Sequence, residues 1–123
     1  MPLARTLGIE TLVTTPSEVR ARLSWSESLC TSGGVLHGGV IMALADSTGG
    51  ACAFLNLPDG ANGTTTIQST TNFLRAVRAG HIDAASRPLH TGRTVIVVET
   101  DVTDADDRRV ARVTQSQAVL RQP

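Results

Sequence analysis

The chain has 123 residues, enough for one domain with its own core. Eleven Lys and Arg balance eleven Asp and Glu, so the net charge suits neither a nucleic acid nor an anionic membrane as partner. Hydrophobic residues make up 41%, yet only Trp25, Phe54 and Phe73 are aromatic, which leaves the core to Ala, Val, Leu and Ile.

The chain opens on Met1-Pro2-Leu3-Ala4-Arg5, with no apolar signal run behind it, and a cytoplasmic location is the expectation. Between Thr11 and Trp25, the apolar Val19, Ala21, Leu23 and Trp25 alternate with Glu18, Arg20, Arg22 and Ser24, a period of two that predicts a half-buried strand. Cys30 and Cys52 lack metal-ligand spacing and read as two reduced thiols; no other cluster suggests a metal site.

The most apolar stretch follows, from Leu36 to Leu55. It is rich in Ala and Leu, contains no proline and is stopped by Asn56-Leu57-Pro58-Asp59-Gly60, so it reads as a helix. Asp46 and four glycines make it too polar to span a membrane. Apolar on every face, it is expected to be buried on most sides, and Asp46 inside it then needs a partner or a function. At 100° per residue, Gly39, Met42, Asp46, Gly49, Gly50 and Ala53 share one face. Apart from Met42 and the acid that face is nearly bare, as though a backbone or a substrate comes close. At the start of the helix, His37-Gly38-Gly39 offers backbone N–H groups without intrahelical partners, a place for negative charge to develop. Asp46 lies eight residues past Gly38, roughly 12 Å along the axis, too far to act with that amide inside one subunit.

Four Thr-, Val- and Ile-rich runs complete the chain: Thr64–Arg75, Gly80–Leu89, Thr94–Thr103 and Val110–Leu120. Asp104-Ala105-Asp106-Asp107 is a turn that joins the last two as a hairpin. One helix between a strand and a run of strands linked by hairpins predicts an α+β fold, an antiparallel sheet packed on a single helix. His81 falls in a strand and is expected at the surface, whereas His90 falls in a loop where a ligand can reach it.

His37-Gly38-Gly39 followed by Leu44-Ala45-Asp46, then the extended Thr64–Arg75 run and His90-Thr91-Gly92-Arg93 opening a strand, resembles the hotdog-fold acyl-CoA thioesterases. The resemblance is to the phenylacetic-acid-pathway type, near 4-hydroxybenzoyl-CoA thioesterase, and covers the chain from about Gly8 to Leu120. It implies a single hotdog domain over residues 1–123, with a sheet of five or six strands wrapped around one long central helix. A homodimer is implied, and from it a tetramer. The implied reaction is hydrolysis of an aryl or medium-chain acyl-CoA without a cofactor. Asp46 would be general base or nucleophile, the Gly38 and Gly39 amides the oxyanion hole, and His37 would orient the thioester.

Relatives with an Asp as the acid also use a Ser or Thr after the helix to position water; among Thr64, Thr65 and Thr66, counting back from Phe73 selects Thr66. Six residues before the histidine, relatives often carry Asn or Gln, and this chain has Thr31, whose hydroxyl is shorter. The acyl group would lie on the Gly49/Gly50 face beside Met42 and Thr65, with the pantetheine arm leaving past His37. His90 and Arg93 would meet the substrate, Arg93 through the nucleotide phosphates, while Arg75 and Arg78 are further arginines at strand ends. Two other readings are a hotdog dehydratase or hydratase, which also acts on acyl thioesters but places its histidine and acid in an arrangement that His37-Gly38-Gly39 with Asp46 does not resemble, and a non-catalytic acyl-CoA-binding module, which keeps the same pocket and which Thr31 in place of an amide favours.

Overall fold

In the computed structural model, which describes residues 1–122, the apolar stretch is one helix and the alternating runs are strands. The elements are α1 (Pro2–Leu7), β1 (Glu10–Thr14), β2 (Val19–Ser24), α2 (Gly38–Phe54), β3 (Gly63–Phe73), β4 (His81–Thr91), β5 (Val95–Asp104) and β6 (Arg109–Leu120). All six strands form one sheet, every neighbouring pair antiparallel, in the order β1-β2-β4-β5-β6-β3. The α+β hotdog architecture expected from the sequence is the one observed.

Three local features differ from the sequence reading. Thr11–Trp25 is not one strand but a hairpin, turned by Thr15-Pro16-Ser17, with Thr11 opposite Ala21 across it. The six residues of α1 carry no periodic apolar pattern that would have marked a helix. The strands after α2 are not all linked by hairpins either. β3 crosses to the far edge of the sheet and pairs with β6, setting Thr66 opposite Gln117 and Phe73 opposite Ala111.

The core lies between α2 and the inner face of the sheet. Ile41, Leu44 and Ala45 pack against Leu23, Ile82, Ala84, Val102, Val110 and Val113; nearer the C-terminal end of α2, Cys52 and Ala53 meet Val19, Ile96 and Val98. Burial raises the pKa of the Cys52 thiol. Contrary to the expectation of burial on most sides, α2 has an open face: Met42 is 42% and Phe54 57% exposed, and Asp46 is exposed as well. β3 is exposed along most of its length, with Ile67 and Phe73 at 61% and 51%, and carries a bulge between Thr66 and Gln68. A long edge strand of this kind presents unpaired backbone groups to another chain.

The outer face of the sheet is held by ion pairs. Arg22 donates to both carboxylate oxygens of Asp83 on the neighbouring strand, at 2.7 and 3.0 Å, and the Asp83 carboxyl is held below its usual range by that hydrogen bond. Arg112 bridges Glu99 and Asp101 across β5 and β6. In the β5–β6 turn the Asp104 carboxylate accepts the N–H groups of Arg108 and Asp106, which lowers its pKa. No helix among the described residues is long and apolar enough to cross a membrane.

Candidate active site

Asp46 stands on the open face of α2, opposite the β3–β6 edge of the sheet. One of its oxygens, Oδ1, accepts from Gln115 Nε2 at 3.2 Å and, over a long 3.4 Å contact, from Thr66 Oγ1. Gln117 Nε2 in turn donates to Thr66 Oγ1 at 2.7 Å, across the strand register that sets these two residues opposite each other. The other oxygen, Oδ2, has no protein partner among the described residues, and Asp46 lines a cavity of about 340 Å³ with Met1, Ser47, Gly50, Thr64, Thr65, Thr66 and Gln117. The bulge next to Thr66 changes which way the β3 side chains point, as bulges beside functional sites commonly do. The carboxylate is thus gripped on one oxygen and open on the other.

The start of α2 makes a second, separate site. His37 is the N-cap: its Nδ1 accepts the Gly39 N–H at 2.8 Å, and its backbone is extended. That bond engages the Gly39 amide, which was expected to help form an oxyanion hole, and leaves the Gly38 N–H as the donor without a protein acceptor among the described residues. Gly38 and Thr31 line a cavity of about 420 Å³ with Leu36, Ile41, Phe73, Leu74 and Arg75. The Phe73 ring closes over Gly38, where an added Cβ would sit 3.2 Å from its tip. Asp46 is absent from that lining. The expected separation of acid and helix N-terminus within one chain is what the geometry shows.

Gly49 and Gly50 have different surroundings. A Cβ on Gly50 would meet nothing within 4 Å, so this position does open into the Asp46 cavity. A Cβ on Gly49 would fall 2.1 Å from Gln115 Oε1, so the space above Gly49 is filled by this protein's own side chain and not free for an acyl group. Gln115 and Gln117, at 1% and 2% exposure, were not singled out from the sequence. A signal was present. Both fall in step with the inward-facing Ala111 and Val113 of β6, where an alternating strand places apolar residues. Burying an amide oxygen without a partner, as with Gln115 Oε1, costs about 1–3 kcal/mol.

The remaining candidates lie elsewhere. His90 lines a cavity of about 390 Å³ with Pro16, Asn56 and Pro88, beyond the C-terminal end of α2. Arg93 lies in the β4–β5 turn at that same end, its carbonyl accepting from Arg121 at 2.8 Å. Neither reaches Asp46 or Gly38 within one chain, so the expected exit of a substrate past His37 and its contact with Arg93 belong to opposite ends of α2. Arg75, one of the further arginines at strand ends, lies beside Gly38 in the lining of the cavity at the start of α2.

A six-stranded antiparallel sheet on one long helix, with an acid on the helix and a free amide at its start, defines the class. Residues 33–111 match the Thioesterase superfamily, and the chain belongs to that family. It is 32% identical over 114 residues to the "Putative esterase Rv1847" of Mycobacterium tuberculosis, an alignment that spans 91% of this chain and 81% of that protein. The solved structure of that mycobacterial protein superposes with a TM-score of 0.95 at 29% identity, covering 100% of this chain and 99% of the other. The thioesterase HI1161 of Haemophilus influenzae gives 0.90 at 27% identity, with 97% and 82% covered. The "Proofreading thioesterase EntH" of Cronobacter sakazakii is 34% identical over 87 residues, 71% of this chain and 63% of that one.

Proposed function

We propose that this protein hydrolyses an acyl-CoA thioester to the free acid and CoA, with Asp46 as the acid that drives the step. The observation that carries this reading is the one-sided grip on Asp46. Its Oδ1 is tied to Thr66 and Gln115 while Oδ2 has no partner among the described residues, on a side chain that lines a cavity in a chain of the thioesterase superfamily. Two routes use that oxygen. As general base, Oδ2 takes a proton from water as the water oxygen bonds to the thioester carbon; the C–S bond then breaks and the CoA sulfur leaves. As nucleophile, Oδ2 itself bonds to the carbon, expels the thiolate and leaves a mixed anhydride for water to open. In either route the carbonyl oxygen becomes an oxyanion, and the Gly38 N–H at the positive end of α2 is placed to receive it. Thr66, held by Gln117 beside Asp46, serves to orient the attacking water.

The acid and the donor come together across a homodimer. Antiparallel pairing of two β3 edges about a two-fold axis near Gln68, the middle residue of Gly63–Phe73, lays the Phe73 end of one copy beside the Thr64 end of the other. Phe73 touches Gly38, and Thr64–Thr66 line the Asp46 cavity, so each of the two sites takes its acid from one copy and its amide from the other. Dimers of this kind can pair further into a tetramer. The acyl group, aryl or medium-chain, enters beside Gly50, with Met42, Thr65 and the exposed β3 side chains around it. The CoA nucleotide reaches an arginine at the surface; Arg75 lies at the Gly38 end for this purpose.

Incubating the protein with a panel of aryl-, medium-chain and acetyl-CoA, with a thiol reagent to detect free CoA, tests the reading. CoA release for aryl or medium-chain substrates, lowered by about 10²–10⁴ in Asp46→Asn, is the expected result. Tight binding of acyl-CoA without release would make it a binding module, and hydration of an enoyl-CoA without release would make it a hydratase.

A further inference from the structure

The proposed reaction uses Asp46, Thr66 and Gly38 but gives no account of why a glutamine is buried at position 115. An apolar side chain would fit the alternation of β6 there, between Val113 and Gln117, and would leave no polar atom unpartnered. Among the described residues Gln115 makes one side-chain hydrogen bond, from Nε2 to Asp46 Oδ1 at 3.2 Å, and its buried Oε1 finds no partner there. An amide can donate to a carboxylate only through its nitrogen. The bond to Asp46 therefore fixes which way the amide points and drives Oε1 against the backbone of Gly49. Gly49 lies three residues past Asp46 on the same face of α2 and is buried. Any side chain there would collide, since a Cβ would stand 2.1 Å from Oε1 and 2.7 Å from Cδ of Gln115. Two locally unfavourable choices, a glycine inside a helix and an orphaned amide oxygen in the core, thus occur in one contact, and together they let one N–H reach the acid.

From this we infer that Gln115 is a positioning residue for Asp46 and that Gly49 is glycine to admit it. Two donors converge on Oδ1, and Oδ2 is left without a partner among the described residues, its lone pairs free for the proton or the carbonyl carbon on a side chain that lines the cavity. Without Gln115 only the long 3.4 Å contact with Thr66 restrains a carboxylate on an exposed helix face. The inference rests on the proposed thioester hydrolysis for its consequence in rate, but its geometry stands apart from it.

The test is a set of steady-state and structural measurements on Gln115→Met, Gln115→Ala, Gly49→Ala, Gly49→Ala/Gln115→Ala and Asp46→Asn/Gln115→Met, each checked for folding by circular dichroism. Methionine keeps the length and loses the donor. Gln115→Met is expected to lower kcat by about 10- to 100-fold while KM changes less than about threefold, because the substrate does not touch residue 115. In the Asp46→Asn background the same change should cost less than about threefold, since Gln115 acts through the carboxylate. Gly49→Ala should cost as much as Gln115→Ala, and the double variant no more than either. A folded Gln115→Met with native kcat, or losses that simply multiply in both cycles, would overturn the inference. Should Gly49→Ala fail to fold, the Gln115→Met and Asp46→Asn arms decide. Should the native protein hydrolyse no acyl-CoA, the proposed function fails, and a crystal structure of Gln115→Met then decides the positioning alone. A carboxylate turned away from its native place supports it, and one that stays overturns it.

Discussion

The two halves of the sheet alternate with the same period and are built for different purposes. In β4 and β5 the inward positions are Ile82, Ala84 and Ser86, and Ile96, Val98, Thr100 and Val102, all buried. Their only polar pair, Ser86 and Thr100, is satisfied internally at 2.7 Å. In β6 and β3 the inward series passes from Val113 to Gln115, Gln117 and Thr66, and the edge strand is open to solvent. The first half stabilises the fold through apolar burial, and the inward positions just named carry no titratable group. The second gives up part of that burial to hold one carboxylate oxygen. The proposed site lies where the apolar pattern breaks.

If that division is right, substitutions in the two halves should fail in different ways. The largest effect is expected from Asp46→Asn, which should lower turnover by about 10²–10⁴. Because Asp46 is exposed, its removal should change the melting temperature little, and a folded variant with native turnover would take the acid out of the reaction. Ile82→Ala, at a fully buried position of β4, should do the opposite. It is expected to cost about 2–5 kcal/mol in denaturant unfolding while the folded fraction keeps its kcat.

Gly50→Val fills open space in the acid's cavity and should act on selectivity. Aryl-CoA turnover should fall about tenfold more than acetyl-CoA turnover, and equal losses would place the acyl group elsewhere. The smallest effect belongs to the outer face. The pKa of the Asp83 carboxyl is lowered in the folded protein, so its pairing with Arg22 contributes fully above the ordinary carboxyl range and is lost as pH falls through the lowered value. Asp83→Asn should therefore lower the melting temperature slightly at neutral pH and flatten its fall on acidification, so that the variant and native curves converge at low pH.

What was legible in the sequence follows the range of the interactions involved. α2 and the strands β3 to β6 came from local periodicity and turn residues, and their ends fall within two residues of the expected ones. The eight-residue gap between Gly38 and Asp46 gave the separation of donor and acid, because helix rise converts sequence distance into length. The β1–β2 hairpin had its Thr-Pro-Ser turn in plain view, but the strand alternation was read across it. The pairing of β3 with β6 was not legible, since it joins residues some fifty positions apart and no local signal chooses between β6 and β4 as its neighbour. For the same reason Gly49 read as space for a substrate. Its occupant comes from 66 residues further along the chain, a distance at which glycine spacing alone cannot tell a ligand from the protein's own side chain. The engaged Gly39 amide had a local cause, a histidine at the N-cap position, and its ring nitrogen was the overlooked acceptor.

The central claim is that acid and oxyanion donor act from different copies of the chain, and mixing two inactive variants tests it most directly. Gly38 is the first residue of α2, where proline is accommodated, and the extended backbone of His37 is compatible with a following proline. Gly38→Pro therefore removes the donor N–H without changing the backbone path, the exposed Phe73 ring shifting by a few tenths of an ångström to admit the added carbons, while Asp46→Asn removes the acid. Each alone should be nearly inactive. When the two are unfolded together and refolded at equal concentrations, half the dimers are mixed, and each mixed dimer has one site with both Asp46 and Gly38 intact. The account predicts recovery of about one quarter of native turnover. No recovery, with mixed dimers shown to be present, would contradict it.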